Sequence, residues 1–224
     1  MMIRIPEPEL MNEEQQAKAY AFADFSVPHN LFIEKFKEKF PRFSFNDVVL
    51  DLGCGTCDVT RRFAQAYPDT AFHAVDGAAC MLGYAEKLNN EAGLHSRIKL
   101  IKTCLPMIQV PQSSYHAIIS NSLLHHLHDP SHLWNTIQKY AKPFAYVFVM
   151  DLVRPADEHT VEYFVNEYAN NEAELLKRDF ANSLRAAFTL SEVQQQLNKA
   201  GLNQLQTEKI SDRHMIIYGN VSLF

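Results

Sequence analysis

Apolar positions along this chain alternate between two periods. Leu31, Phe32, Phe36 and Phe40 recur at helical spacing and stop at Pro41, and the Asp47-Val-Val-Leu-Asp51 run that follows reads as a buried strand. A glycine-rich turn comes next. Val59, Phe63 and Tyr67 then mark a helix ended by Pro68, and residues 71–76 form a second strand. The pattern continues with a helix around Met81, Ala85 and Leu88 and strands at 97–101 and 115–120, joined by a short irregular link. Asp129-Pro130 predicts a helix start, with the carboxylate as cap and proline at the first helical position, leading into Leu133, Ile137 and Tyr140. A fifth strand, 144–150, ends at Asp151.

Beyond it, Val161, Val165 and Tyr168, and then Leu176, Phe180, Leu184 and Phe188, predict extra helices. Thr189 and Glu192 have the spacing of a capping box, and Gly201 sits where the helix they open needs a C-cap. Two final strands, 202–209 and 214–218, flank the short Ser211-Asp-Arg turn, which favours an antiparallel pair. Strands joined mainly by helices predict a doubly wound, mostly parallel α/β sheet, Rossmann-like, of about seven strands with an antiparallel last strand and a helical insertion after the fifth. We expect one domain over 1–224, with an N-terminal helical cap over 1–40 and a helical lid over 155–188.

With 224 residues and 47% apolar composition, the chain can bury one large core. A formal charge of -5 provides no global basic surface, so nucleic acid is not the expected partner. The four cysteines, Cys54, Cys57, Cys80 and Cys104, follow no disulfide-scaffold spacing, and the N-terminus carries no basic-then-apolar signal. The longest apolar stretch, 144–150, is too short to cross a bilayer. These features predict a soluble, cytoplasmic protein.

In Asp51-Leu-Gly53-Cys-Gly55-Thr-Cys57-Asp58 the glycines fall where a buried strand gives way to a helix, so the backbone must turn sharply and a ligand can approach it closely. Asp76 ends the next strand, placed to accept hydrogen bonds from ribose hydroxyls. Together they predict an adenosine site. A phosphate-gripping loop would need a Gly-Lys-Ser/Thr ending, which is missing. A dinucleotide fingerprint would need glycine at Asp58, and Asp51 would repel a pyrophosphate; a cationic sulfonium cofactor has no such conflict.

The stretch Val48-Val-Leu-Asp51-Leu-Gly53-Cys-Gly55-Thr56, followed by Ala74-Val-Asp76, resembles the first two motifs of class I S-adenosylmethionine-dependent methyltransferases. The resemblance implies that Asp51 and the backbone of Gly53 and Gly55 hold the methionine end of the cofactor and that Asp76 holds the ribose. It places adenine near Thr103 and Cys104, with Cys104 where the family often has an acid, and Asn121 on the cofactor's border. Tyr20 resembles the N-terminal aromatic that covers the cofactor; packing in the core is its other reading. Two departures stand out: Cys57 replaces a third glycine, and Cys104 replaces the acid.

The Cys54-x-x-Cys57 pair has no second pair to complete a zinc site, and neither redox nor metal chemistry is expected there. After the fourth strand, Asn121-Ser-Leu-Leu-His125-His126-Leu-His128-Asp129 puts polar groups at the C-terminal sheet edge, where open α/β sheets bind ligands. His128 and His132 could share a helix face, but no metal-binding motif supports them and no metal is expected. His126 matches a histidine that related small-molecule enzymes carry beside the transferred methyl, and its titration range suits a general base; packing or capping is the other reading. Polar residues from Asp179 to Arg185 are either a solvated face or an acceptor-facing lid. The expected activity is methyl transfer from S-adenosylmethionine to a small-molecule acceptor. A tRNA or protein acceptor comes next, and binding of the cofactor without turnover after that.

Overall fold

The computed structural model describes residues 2–44 and 46–221. Two helices, α1 (Glu14–Phe22) and α2 (Ser26–Lys39), precede an alternation of β1 (Val48–Leu52), α3 (Asp58–Ala66), β2 (Ala71–Asp76), α4 (Ala79–Glu91) and β3 (Ile98–Lys102). After an irregular link come β4 (Tyr115–Asn121), a single 3-10 turn at Leu124–His126, α5 (Ser131–Tyr140) and β5 (Ala141–Leu152). The insertion holds α6 (Glu158–Tyr168) and α7 (Glu174–Ala186), and α8 (Leu190–Lys199), β6 (Gln206–Lys209) and β7 (His214–Val221) close the chain.

The seven strands order as β3-β2-β1-β4-β5-β7-β6. β1 lies parallel between β2 and β4, and β7 runs antiparallel to both of its neighbours, β5 and β6. The strand order therefore reverses at β1 and β4, which puts the loops after those two strands on either side of the crevice where such sheets bind ligands.

Side chains alternate across the sheet. Leu50 and Leu52 join Trp134, Ile137, Val193 and Leu197 from α5 and α8 on one face, while Val49, Ile119 and Phe148 meet Phe36, Phe63 and Ala85 from α2, α3 and α4 on the other. Phe36 anchors that second face. Its ring lies 4.6 Å from that of Phe63, 4.9 Å from Phe43 and 5.5 Å from Phe148, all edge-on, a geometry worth about 0.5–1.5 kcal/mol per pair beyond burial alone.

Several boundaries shift from the sequence pattern for local reasons. α5 begins at Ser131, because Asp129 caps the Ser131 amide at 2.9 Å and leaves Pro130 just outside the helix. β5 starts three residues earlier than its apolar run, through Phe144, whose φ of 62° and exposed ring mark a bulge. β6 loses its first four residues to a turn closed from the Leu205 amide to the Leu202 carbonyl. The Thr189/Glu192 capping box forms, and Gly201, at φ 69°, ends α8.

Candidate active site

The strand-to-helix turn after β1 is built by its glycines for two different reasons. At Gly53, φ is 74°, and a Cβ would sit 2.8 Å from the Leu123 side chain, so the fold itself demands glycine there. At Gly55, φ is 52° and nothing lies within 4 Å of where a Cβ would be, so the backbone edge stays open to close approach. Cys57, where the resemblance expects glycine, keeps glycine's left-handed conformation, with φ 63° and a fully buried thiol. All four cysteines are free.

Asp51 ends buried beneath this turn and accepts the Thr60 hydroxyl at 2.5 Å. Burial pushes its carboxyl up to about 7, with the Asp76 charge adding to the rise. Asp76 accepts the Gly55 amide on one oxygen and the Ala78 amide on the other, both at 2.8 Å. The carboxylate keeps acceptor capacity for a hydroxyl donor. Asp58 is drawn away from this group by His29 and Arg62, which hold it ionised.

Asn121, at the end of β4, has its Oδ1 buried without a hydrogen-bond partner. The Thr103 amide bonds to the Asp76 carbonyl at 3.0 Å, and Cys104 Sγ lies 2.4 Å from where a Gly77 Cβ would be. Tyr20 packs with Ala17, Ala78 and Met81 beside the Asp76 turn. Its phenol is raised by burial and by the Asp179 and Glu7 charges.

The histidine turn makes the second half of the site. His125 is buried with Nδ1 2.5 Å from Asp151 Oδ1. Burial pulls its pKa down, but the Asp151 carboxylate outweighs it and the net shift is upward. His126 is also buried, and burial plus the neighbouring His125 charge depress it to about 3, so it stays neutral. His128 bonds through Nε2 to the Glu7 carbonyl, whereas His132 lies near Asp129. The two do not share a cation cluster among the described residues.

An extended N-terminal segment covers this turn. Arg4 donates to the carbonyls of Ala186, His125 and Leu127 at 2.6–3.0 Å and stacks on Phe188. Glu7 accepts the Ser183 hydroxyl at 2.9 Å, and Leu10 reaches the backbone at Gly77. Of the polar positions on α7, Asp179 and Ser183 are buried and face inward, with Asp179 accepting from Gln16 at 2.6 Å, while Arg185 pairs outward with Glu158. Asp151 lies beneath His125, and Arg154 is buried against Glu192. Glu7 and Gln16 escaped sequence reasoning. The available signal was Ile5-Pro-Glu-Pro8, where each proline keeps the residue before it extended.

The sequence model of the family described as "Methyltransferase domain" matches residues 49–144. A protein of Methanococcus maripaludis solved under the description "putative S-adenosyl-L-methionine-dependent methyltransferase" superposes with a TM-score of 0.71 at 15% identity, covering 98% of each chain. The fold is that of the class I S-adenosylmethionine-dependent methyltransferases, and residues 49–144 carry the match to a methyltransferase domain. Phosphoethanolamine N-methyltransferase 2 of Caenorhabditis elegans is 26% identical over 180 residues, which is 80% of this chain and 38% of that protein. The chain thus spans well under half the length of that curated relative. The Haemonchus contortus phosphoethanolamine N-methyltransferase 2, solved with phosphomonomethylethanolamine and S-adenosylhomocysteine, shares the fold at a TM-score of 0.68 and 15% identity, over 93% of this chain and 57% of that one.

The residues present fit S-adenosylmethionine. The open backbone at Gly55 leaves room for it, and among the described residues the Asn121 oxygen has no donor and the buried Asp51 carboxyl has no cationic neighbour to keep it ionised, so both call for a group such as an ammonium. No helix is long and apolar enough to cross a membrane among the described residues.

Proposed function

We propose that this methyltransferase acts on a small-molecule acceptor held between α1, α7 and the Leu124–His126 turn. The carrying observation is the cover over that space: residues 2–10, latched by Arg4 and Glu7, lie across inward-facing Asp179 and Ser183. A macromolecular acceptor would have to displace those contacts. The two phosphoethanolamine N-methyltransferases, named for a small amine, support the same reading.

S-adenosylmethionine supplies an activated methyl on a sulfonium. In our assignment Asp51, Asn121 and the Gly53 and Gly55 backbone hold its methionine end, Asp76 accepts from the ribose, Thr103 and Cys104 border adenine, and Tyr20 covers the site. Alignment of two reacting groups away from water can supply roughly 7–11 kcal/mol of a barrier. With Nδ1–H of His126 donating to the Pro8 carbonyl at 3.3 Å, its Nε2 carries the lone pair. That nitrogen accepts a hydrogen bond from the acceptor and so aims the acceptor's own lone pair at the methyl. The test is calorimetric titration with S-adenosylmethionine and S-adenosylhomocysteine, followed by an acceptor screen of small amines and hydroxyl compounds, peptides and tRNA. Micromolar-range binding that collapses in Asp76→Ala, with turnover on a small compound only, is expected. Turnover on peptide or tRNA alone would refute the acceptor class.

A further inference from the structure

Glu7, from the N-terminal segment, and His125 and His126, from the turn after β4, bring three donor atoms within 4.8 Å of one another. Glu7 Oε1 stands 3.4 Å from His125 Nε2 and 3.4 Å from His126 Nδ1, and neither approach is among the hydrogen bonds of these residues. A tetrahedral ion with nitrogen and oxygen ligands at about 2.1 Å has ligand-to-ligand edges of about 3.4 Å. Two edges of the triangle therefore already have the length that coordination requires. All three side chains are largely buried, at 3% and 10% exposure for the histidines and 10% for Glu7.

The surroundings match those of a built metal site. Asp151 Oδ1, 2.5 Å from His125 Nδ1, keeps that nitrogen's proton and turns Nε2 toward Glu7. Carboxylates fix the tautomer and orientation of metal-bound histidines in this way. Ser183 donates to Glu7 Oε1 at 2.9 Å, which holds the carboxylate in place. Three protein ligands leave a tetrahedral ion one further position, the arrangement of zinc sites that keep an exchangeable ligand. An organic ammonium would be served by carboxylates alone. Two imidazole nitrogens each 3.4 Å from one carboxylate oxygen select instead a borderline first-row dication.

We propose that Glu7 Oε1, His125 Nε2 and His126 Nδ1 form a binding site for a divalent transition-metal ion of the zinc class, with Asp151 and Ser183 orienting two of the ligands. This replaces the expectation, drawn from sequence, that the chain carries no metal ligands, and it stands on these side chains rather than on the methyl-transfer reading. Ligation through Nδ1 moves the ring proton of His126 to Nε2. Metal binding and hydrogen-bond acceptance at that nitrogen exclude each other, so a bound ion suppresses turnover.

The test is titration of the metal-stripped full chain with Co2+, followed by visible absorption, then displacement by Zn2+. The same titration is made on Glu7→Gln and His126→Asn, with circular dichroism and thermal melting to verify that each variant is folded. One equivalent of Co2+ with tetrahedral ligand-field bands, bleached by one equivalent of Zn2+, is the expected result, with affinity falling by at least about 10-fold in both variants. Absence of such bands in the natural chain, or bands undiminished in either folded variant, overturns the proposal. The second outcome would place the ion on other histidines.

Discussion

Replacing Asp51 with asparagine is expected to stabilise the cofactor-free protein while weakening the cofactor site. Asp51 is buried, and its pKa rises from 3.8 to about 7. The folded state therefore holds this proton more tightly than the unfolded chain does. Between the two values the unfolded carboxyl is ionised and the folded one is not, so stability falls as pH rises from about 4 to about 7 and stays low above it. At about 1.36 kcal/mol per pH unit, the full penalty is about 4 kcal/mol at pH 8 and about 1–2 kcal/mol at pH 5. Asparagine carries no charge to bury and can still accept the Thr60 hydroxyl, which now lies 2.5 Å away. Asp51→Asn should thus gain up to about 4 kcal/mol at pH 8, or about 8–16 °C in Tm for a chain of this size, and less than half as much at pH 5. Urea denaturation of both proteins at the two pH values measures the difference. A gain that is the same at both, or a loss at pH 8, refutes the placement of a penalised carboxylate under the glycine turn. Loss of one charge-assisted hydrogen bond, about 1.5–3 kcal/mol, should also weaken S-adenosylmethionine binding by roughly 10- to 150-fold.

Phe36→Ala removes the ring at the centre of the aromatic face and should cost about 3–5 kcal/mol in urea denaturation; a cost under about 1 kcal/mol would mean that this face repacks freely. Cys57→Gly relieves a left-handed residue worth about 1–2 kcal/mol, yet loses a fully buried thiol and adds about 0.5–1 kcal/mol of chain entropy. Its Tm should therefore move little and its cofactor affinity should hold or rise, whereas a loss beyond about 2 kcal/mol would show that thiol packing dominates. Arg4→Ala removes all three bonds to the carbonyls at 125, 127 and 186. Limited proteolysis should then cut within residues 2–10 while the remainder stays intact; resistance equal to that of the natural chain would show that the segment is held by other contacts.

Much of the fold was legible because it rests on local rules. Strand-turn-helix punctuation around Pro41, Gly53, Gly55 and Pro68 depends on a few consecutive residues, as does the Thr189 capping box. The errors have the same local origin in reverse. Apolar Leu202 and Leu205 resemble strand residues but pack inward from a turn, and Phe144 lies in a strand with its side chain exposed. Burial is decided by the partner element, which a local window does not contain.

The two halves of the site differ in just this way. Asp51, Gly53, Gly55 and Asp76 sit at strand ends whose positions follow from parallel pairing with neighbours, so the sequence locates them without any knowledge of distant contacts. The histidine half depends on closure by residues 2–10 and on which face α7 turns inward. Both are tertiary facts: a helix with Asp179, Ser183 and Arg185 has no local reason to bury the first two and leave the third half-buried against Glu158. The reason lies in the N-terminal segment, where Glu7 needs a donor and Ser183 supplies it, while Gln16 on α1 reaches Asp179. Polar groups at such buried positions persist because each satisfies another. In the proposed site the acceptor side is therefore formed jointly by Glu7 and by Asp179 and Ser183 of α7, and substitutions at those three positions should alter acceptor choice while leaving the cofactor turn unchanged.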